Sequence, residues 1–268
     1  PEGTLRVASY DVIEFVSMEQ EINKNQIPLT IEPWKILEQG DLLKIDFHSV
    51  VIQITEISNL HVYGRVIEGG IIGTNKGISL DREIKIPPFS QKDIEAFKIS
   101  KELKLDTFAL SFASSGEDII ELRKYFDYKI NVISKVESRI GLLNLDSICA
   151  ETNSVLIDRG DLSREVPLEK IIFAQKYILK QAKTNSTPVY VATNLMENMI
   201  KNSKPTRAEV HDIVETLNSG AAGLVLAAET AIGKYPVECV RIMSRIMYEV
   251  ENNSVDNNSI EYLFSIIK

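Results

Sequence analysis

Lys135 and Glu137 stand two residues apart at the end of an apolar run, Val132-Ile-Ser-Lys-Val-Glu, and Asp161 closes a second such segment, Val155-Leu-Ile-Asp-Arg-Gly-Asp. Side chains in a strand alternate between faces, so residues two apart project to the same side. A cation and a carboxylate therefore share one strand end. Residues 139–149, between the two runs, are enough for a helix. The result is a strand–helix–strand unit with its charges at the carboxyl ends of the strands, where parallel α/β sheets and barrels place their chemistry. Two carboxylates with a lysine between them suggest a hard divalent metal beside a phosphate or carboxylate ligand. A salt-bridge network at a strand end is the alternative.

The elements that must position these residues can be read outward from them. Ser90 with Asp93 can cap a helix carrying Ile94, Phe97 and Leu103, and 107–112 supplies the next strand. A helix over 116–126 leads to the Lys135 strand. Residues 168–185 place Ile171, Ile172, Ile178, Leu179 and Ala182 on one broad helical face. A buried strand over 189–192 ends at Thr193. Thr206 and Glu209 form a capping box before Val210, Ile213, Val214 and Leu217, and Gly220 can close that helix. A last strand over 223–226 precedes Glu229-Thr230, and Pro236 starts a helix with Val240, Met243, Met247 and Val250 at helical spacing. About five βα units in series predict a parallel sheet or part of a β/α barrel. Each strand reads as an apolar run with little alternation, as a doubly buried sheet needs.

The start of the chain differs. Asp41-Leu-Leu-Lys-Ile-Asp-Phe, Val50-Val-Ile-Gln-Ile-Thr-Glu-Ile and His61-Val-Tyr-Gly-Arg-Val-Ile are short and rich in β-branched residues, which reads as a small all-β module. Glu68-Gly-Gly, Gly73-Thr-Asn-Lys-Gly and Pro87-Pro88 punctuate its exit, and glycine-rich connections of this kind could hinge. The expected division is a small β-domain over 1–84, with the tail of a barrel strand at its start, a β/α barrel portion over 85–251, and a polar linker over 252–268 that begins a further domain. The fold class is α/β: a partial (β/α)8 TIM-type barrel with an inserted small all-β domain.

With 268 residues, 44% of them hydrophobic, a sizeable core is expected; the net charge of -8 argues against general nucleic-acid affinity. Two cysteines, Cys149 and Cys239, are too few for a disulfide scaffold and show no metal-ligand spacing; a reduced, cytoplasmic setting is the expectation. His48, His61 and His211 are scattered, and Trp34 and the Met243/Met247 pair read as core. No apolar run approaches membrane-spanning length and the amino terminus shows no signal-peptide pattern. The chain opens at Pro1 rather than at a methionine, which leaves room for an upstream segment, an organellar targeting sequence included.

The run Val132-Ile-Ser-Lys-Val-Glu-Ser-Arg-Ile-Gly-Leu resembles the pyruvate kinase active-site signature. Arg159-Gly-Asp-Leu, Ala192-Thr193, Lys204-Pro-Thr-Arg-Ala-Glu, Ala228-Glu-Thr-Ala-Ile-Gly-Lys-Tyr-Pro and Gly73-Thr-Asn-Lys-Gly-Ile-Ser-Leu fall in that family's order and spacing. The resemblance implies transfer of a phosphoryl group from phosphoenolpyruvate to ADP, giving pyruvate and ATP in glycolysis. It implies that Lys135 neutralises the transferring group, that Glu137 and Asp161 bind Mg2+ or Mn2+, that the backbone of Arg159, Gly160 and Asp161 holds the substrate carboxylate, and that Thr193 sits where the enolate is protonated. Lys76, Ser111, Phe112 and Glu229 fall at supporting positions, and Arg207 at a helix start or subunit contact. The family also implies a homotetramer and K+ dependence.

The sequence departs from the family in places. The barrel portion corresponds to the family from the tail of the third strand onward. The arginine for the substrate phosphate and the K+ ligands thus fall outside this sequence. Ala227-Ala228 stand where the family has serine and glycine, Ser163 and Arg164 follow the Gly-Asp-Leu, Asn194 replaces a glutamine, and Ala113-Ser-Ser replaces a basic pair. A catalytically impaired homologue that binds phosphoenolpyruvate or nucleotide in a regulatory or assembly role is the alternative reading. A different divalent-metal barrel acting on pyruvate enolates ranks last, because it leaves the β-module unexplained.

Overall fold

The computed structural model describes residues 4–17, 23, 25–29, 32–45, 50–58, 60–74, 76–82 and 87–252. The chain divides into two compact units, Pro1–Pro87 and Pro88–Lys268. Phe47, His48 and the expected carboxyl-terminal linker and helix, 253–268, lie outside the described residues.

The first unit is built on β-branched runs. Its strands are β1 (Leu5–Val7), β2 (Val12–Ser17), β3 (Gln26–Leu29), β4 (Leu42–Ile45), β5 (Val50–Ser58), β6 (His61–Glu68), β7 (Gly70–Ile72) and β8 (Ile78–Leu80), with a one-turn helix, α1 (Pro33–Ile36), started by its proline. Six of them form one sheet in the order β3-β2-β6-β5-β4-β8, and β1 pairs with β7. Ile13, Phe15, Ile52, Ile54, Val62 and Val66 alternate inward and pack as one core, with Trp34 against it. Gly64 is required there: a Cβ would meet Ile52 at 2.5 Å and Phe15 at 3.1 Å. Register shifts between Val51 and Ile52 and between Ile54 and Glu56 mark bulges in the β5–β6 ladder.

The second unit alternates helix and strand: α2 (Gln91–Glu102), β9 (Thr107–Leu110), α3 (Gly116–Lys124), β10 (Asn131–Val136), α4 (Arg139–Leu143), α5 (Leu145–Glu151), β11 (Ser154–Asp158), α6 (Arg159–Leu162), α7 (Ile171–Thr184), β12 (Val189–Ala192), α8 (Arg207–Asn218), β13 (Gly223–Val225), α9 (Ala228–Ala231) and α10 (Pro236–Asn252). The capping boxes Ser90/Asp93 and Thr206/Glu209 both form. Gly220 follows α8 with φ +98, a left-handed turn that glycine adopts without strain.

The five strands lie parallel in the order β13-β12-β11-β10-β9. Sequential order without a reversal is the winding of a β/α barrel rather than of a doubly wound sheet. The fold is therefore α/β, with a barrel-type sheet spanning part of a barrel. Val132, Val136, Val155, Ile157, Val189 and Val191 face the helices and pack on Ile119, Leu122, Ile148, Ile178 and Leu179. Each such side chain, fully buried, contributes about 1.5–3 kcal/mol.

Some expectations need correction. The strands are not buried on both faces: Ile133, Lys135, Leu156, Asp158 and Tyr190 are only half-buried, so alternation exists in burial where the sequence shows little in hydrophobicity. The helix expected over 139–149 is broken at Asn144 into α4 and α5. The strand from 107 stops at Leu110, because Phe112 turns to φ 51. Leu103 is exposed rather than packed, and on α10 the inward face is Cys239, Met243 and Ile246, with Val240 exposed.

Candidate active site

β10 ends at Val136, and the alternation of the strand carries Lys135 and Glu137 to one side: Lys135 Nζ lies 2.6 Å from Glu137 Oε1. The parallel register sets Lys135 opposite Leu156 and Val136 opposite Ile157, so the end of β11 arrives beside it. Asp158 Oδ2 is 3.6 Å from the same ammonium. Asp158 also caps α6, its side chain accepting from the amide of Asp161, and that single turn brings Asp161 round to the cluster. Carboxylate oxygens of Glu137, Asp158 and Asp161 all lie within 4.8 Å of one another.

Glu137 is 1% exposed. Its Oε2 accepts from the amide of Phe112 at 2.6 Å, which ties β9 to β10. Burial pushes the Glu137 carboxyl above the ordinary carboxylate range, against the pull of Lys135 and the Phe112 amide. Burial also opposes the charge on Lys135, but the hydrogen bond to Glu137 and the charges of Glu137, Asp158 and Asp161 outweigh it and hold the ammonium above the ordinary lysine value. Arg164 pairs with Asp161 at 3.0 Å.

Thr193 and Asn194, directly after β12, have φ 68 and 53, and Phe112 after β9 has φ 51. Positive φ is unusual for bulky or β-branched residues and persists only where the surroundings impose it. Here the surroundings are visible. The buried Arg159 guanidinium donates to the Thr193 carbonyl at 2.7 and 3.1 Å, to that of Asn194 at 3.0 Å and to Asp212 at 2.7 Å. Thr193 Oγ1 accepts from the Gly160 amide at 2.9 Å. Glu229, also 1% exposed, takes the amides of Met196 at 3.0 Å and Ala227 at 2.9 Å. The loop after β12 is thus held at its carbonyls by Arg159 and at an amide by Glu229.

The structure brings together Lys135, Glu137, Asp161, Gly160, Thr193 and the backbone of Phe112, with Arg159 and Glu229 around the Thr193 loop. Ser111 is exposed beside Phe112. Lys76 belongs to the first unit, between β7 and β8, and the Arg159 side chain is turned into the protein. Asp158 was not among the expected residues. Its signal was an Asp three residues before another Asp at the end of an apolar run, an N-cap spacing.

The donor set suits a hard divalent ion: three carboxylates, oxygen only, in one partly buried place. Glu137 Oε1 has only the Lys135 ammonium beside it and no further hydrogen bond among the described residues. Gly160 keeps the space between Asp158 and Thr193 open, since a Cβ would sit 3.4 Å from Asp158 Oδ1 and 3.6 Å from Thr193 Oγ1.

Fold and site together define a β/α-barrel protein with an acidic, lysine-bearing site at its strand ends. Residues 7–240 match the family "Pyruvate kinase, barrel domain". The chain is 39% identical over 219 residues to a pyruvate kinase of Mycobacterium tuberculosis, a match covering 80% of this chain and 46% of the relative. It is 35% identical over 233 residues to one of Thermotoga maritima (85% and 50%), and 34% identical over 254 residues to one of Agrobacterium vitis (94% and 53%). The chain belongs to the pyruvate kinase family, and it spans about half the length of the curated relatives it matches. Among the described residues no helix is long and apolar enough to cross a membrane.

Proposed function

We propose that this chain carries the phosphoryl-transfer site of a pyruvate kinase, which moves the phosphoryl group of phosphoenolpyruvate to ADP and yields pyruvate and ATP in glycolysis. The observation that carries this reading is the meeting of Lys135, Glu137 and Asp161 at adjacent strand ends in a chain of this family. Phosphoryl transfer is mainly positioning and charge stabilisation, and the cluster supplies both. Lys135 neutralises charge on the transferring oxygens. Glu137 and Asp161 hold Mg2+ or Mn2+, which when bound supplies a positive centre for the substrate oxygens. The backbone at Arg159–Asp161 faces the substrate carboxylate, and Thr193 lies on the side from which the enolate is protonated. Phe112, through its amide, fixes Glu137, and Arg159 and Glu229 fix the Thr193 loop.

In this reading 1–84 is the family's small β-domain, with Lys76 on it, 85–251 the barrel portion, and 252–268 the start of a further domain. The protein works as a cytoplasmic homo-oligomer, a homotetramer, with K+ ligands outside this sequence. The ion pair between Arg164 and Asp161 favours a second reading, a homologue that binds phosphoenolpyruvate or nucleotide without turnover, because an arginine there competes with a bound cation for the carboxylate.

The test is pyruvate formation from phosphoenolpyruvate and ADP with Mg2+, with and without K+, in this chain and in the longest natural form of the protein. Turnover in the longer form supports the first reading. Absence of turnover in both, with phosphoenolpyruvate still bound, supports the second.

A further inference from the structure

Asp158 makes several contacts at this site and has no part in the reading above. Its Oδ1 lies 3.3 Å from Thr193 Oγ1 and 3.4 Å from the Asp161 amide, and its Oδ2 lies 3.6 Å from Lys135 Nζ. One carboxylate therefore reaches three of the residues assigned to the reaction. An N-cap needs only a neutral acceptor, which serine or asparagine supplies equally well. The charge of Asp158 is surplus to that duty, and the oxygen not used for the cap faces the ammonium.

The Thr193 hydroxyl has one proton and two acceptors within reach, Asp158 Oδ1 and the Ala192 carbonyl at 2.6 Å. Its oxygen also receives the Gly160 amide. Arg159 holds the backbone of this strained residue through its carbonyl; Asp158 and Gly160 hold its side chain. We propose that Asp158 is a positioning residue, whose carboxylate sets the Thr193 hydroxyl and the Lys135 ammonium in one rigid frame. The proposal rests on the pyruvate kinase reading for the roles of Thr193 and Lys135, although the frame itself can be tested without turnover. Oδ1 is directed at the Asp161 amide and the Thr193 hydroxyl and Oδ2 faces the Lys135 ammonium, so this carboxylate is turned toward protein donors.

The test compares Asp158→Asn, which keeps the cap acceptor and removes the charge, with Asp158→Ala in the longest natural form of the protein. The methyl resonance of Thr193, assigned through Thr193→Ser, reports the frame directly. It should shift and broaden in the alanine variant and stay near its wild-type position in the asparagine variant, which also shows that the fold survives. In turnover, Asp158→Asn should lower kcat about tenfold and Asp158→Ala about a hundredfold, with the KM for phosphoenolpyruvate within about threefold, the signature of lost positioning rather than lost binding. Exchange of the methyl hydrogens of pyruvate with deuterated water reads the protonation half alone, and should fall more in the alanine variant.

An unmoved Thr193 methyl in Asp158→Ala would overturn the proposal. So would a more than tenfold weakening of Mn2+ binding in Asp158→Asn, read by water-proton relaxation, because Asp158 would then be a ligand. If the wild type neither turns over nor exchanges, yet the Thr193 signal responds as expected, the pyruvate kinase reading fails and the frame stands.

Discussion

Asp41 in the first unit and Glu137 in the second are both buried carboxylates with a cation close by, and their surroundings differ. Asp41 accepts from Arg82 Nε at 2.7 Å and Nη2 at 3.0 Å and from the Glu38 amide at 2.8 Å. Burial works against its ionisation, but Arg82 and Glu38 outweigh burial and hold the carboxyl below its usual range. Glu137 shares one lysine with Asp158, has Asp161 within reach as a third like charge, and is held above its usual range. A carboxylate held by three donors, two of them on one guanidinium, fixes a fold. One crowded by like charges keeps an affinity for added positive charge, and that marks a site.

The sharpest way to break this contrast is Lys135→Met. Turnover of the longest natural form should fall roughly a thousandfold with the circular dichroism spectrum unchanged, as expected for losing a group that stabilises transition-state charge. Unchanged turnover would put Lys135 in the same structural category as Arg82.

Next comes Arg159→Ala, which strands two loop carbonyls and Asp212. The second unit should lose about 2–4 kcal/mol in urea unfolding. Arg159→Lys should recover little of it, because a single ammonium cannot span four bonds arranged around a planar guanidinium.

A pH series addresses the other side. The folded pKa of Asp41 lies below its unfolded value of about 3.9, so its contribution is complete above that value and is lost as pH falls through the folded pKa. Urea midpoints of the first unit should therefore drop below about pH 4, and Asp41→Asn should flatten that part of the curve. An unchanged acid limb would show that Asp41 is not the group that sets it.

The smallest effect expected is at Asn194, exposed with φ 53, where Asn194→Gly should raise stability by about 0.5–1 kcal/mol in thermal melts by removing backbone strain. A loss instead would mean that the asparagine side chain holds the loop.

What the sequence revealed depended on range. Lys135 and Glu137 were legible because their spacing on one strand is a local rule. So were the caps at Ser90 and Thr206, whose partners lie three residues on. Asp158 was lost at the end of an apolar run, although its spacing to Asp161 carried a cap signal. The duty of Arg159 was not legible at all: its acceptors stand 34, 35 and 53 residues away and meet it only when β11, β12 and α8 are assembled. The same limit applies to the half-covered face of the sheet, since burial on that side depends on what packs there rather than on the strand's own composition. In the first unit the short strands β1, β3, β7 and β8 escaped because three or four residues hold too little periodicity to separate them from turns.

The grip on the loop after β12 has a kinetic meaning. Loops ordinarily open and close far faster than the sheets they connect, and their amides trade protons with solvent accordingly. The Met196 amide is held by a buried carboxylate anchored beyond β13, while the preceding carbonyls are held by a guanidinium anchored at the start of α6, directly after β11. Releasing that amide means separating two neighbouring strand ends, so its protection against hydrogen exchange should approach that of β12 itself: this loop belongs, on the clock of exchange, to the sheet.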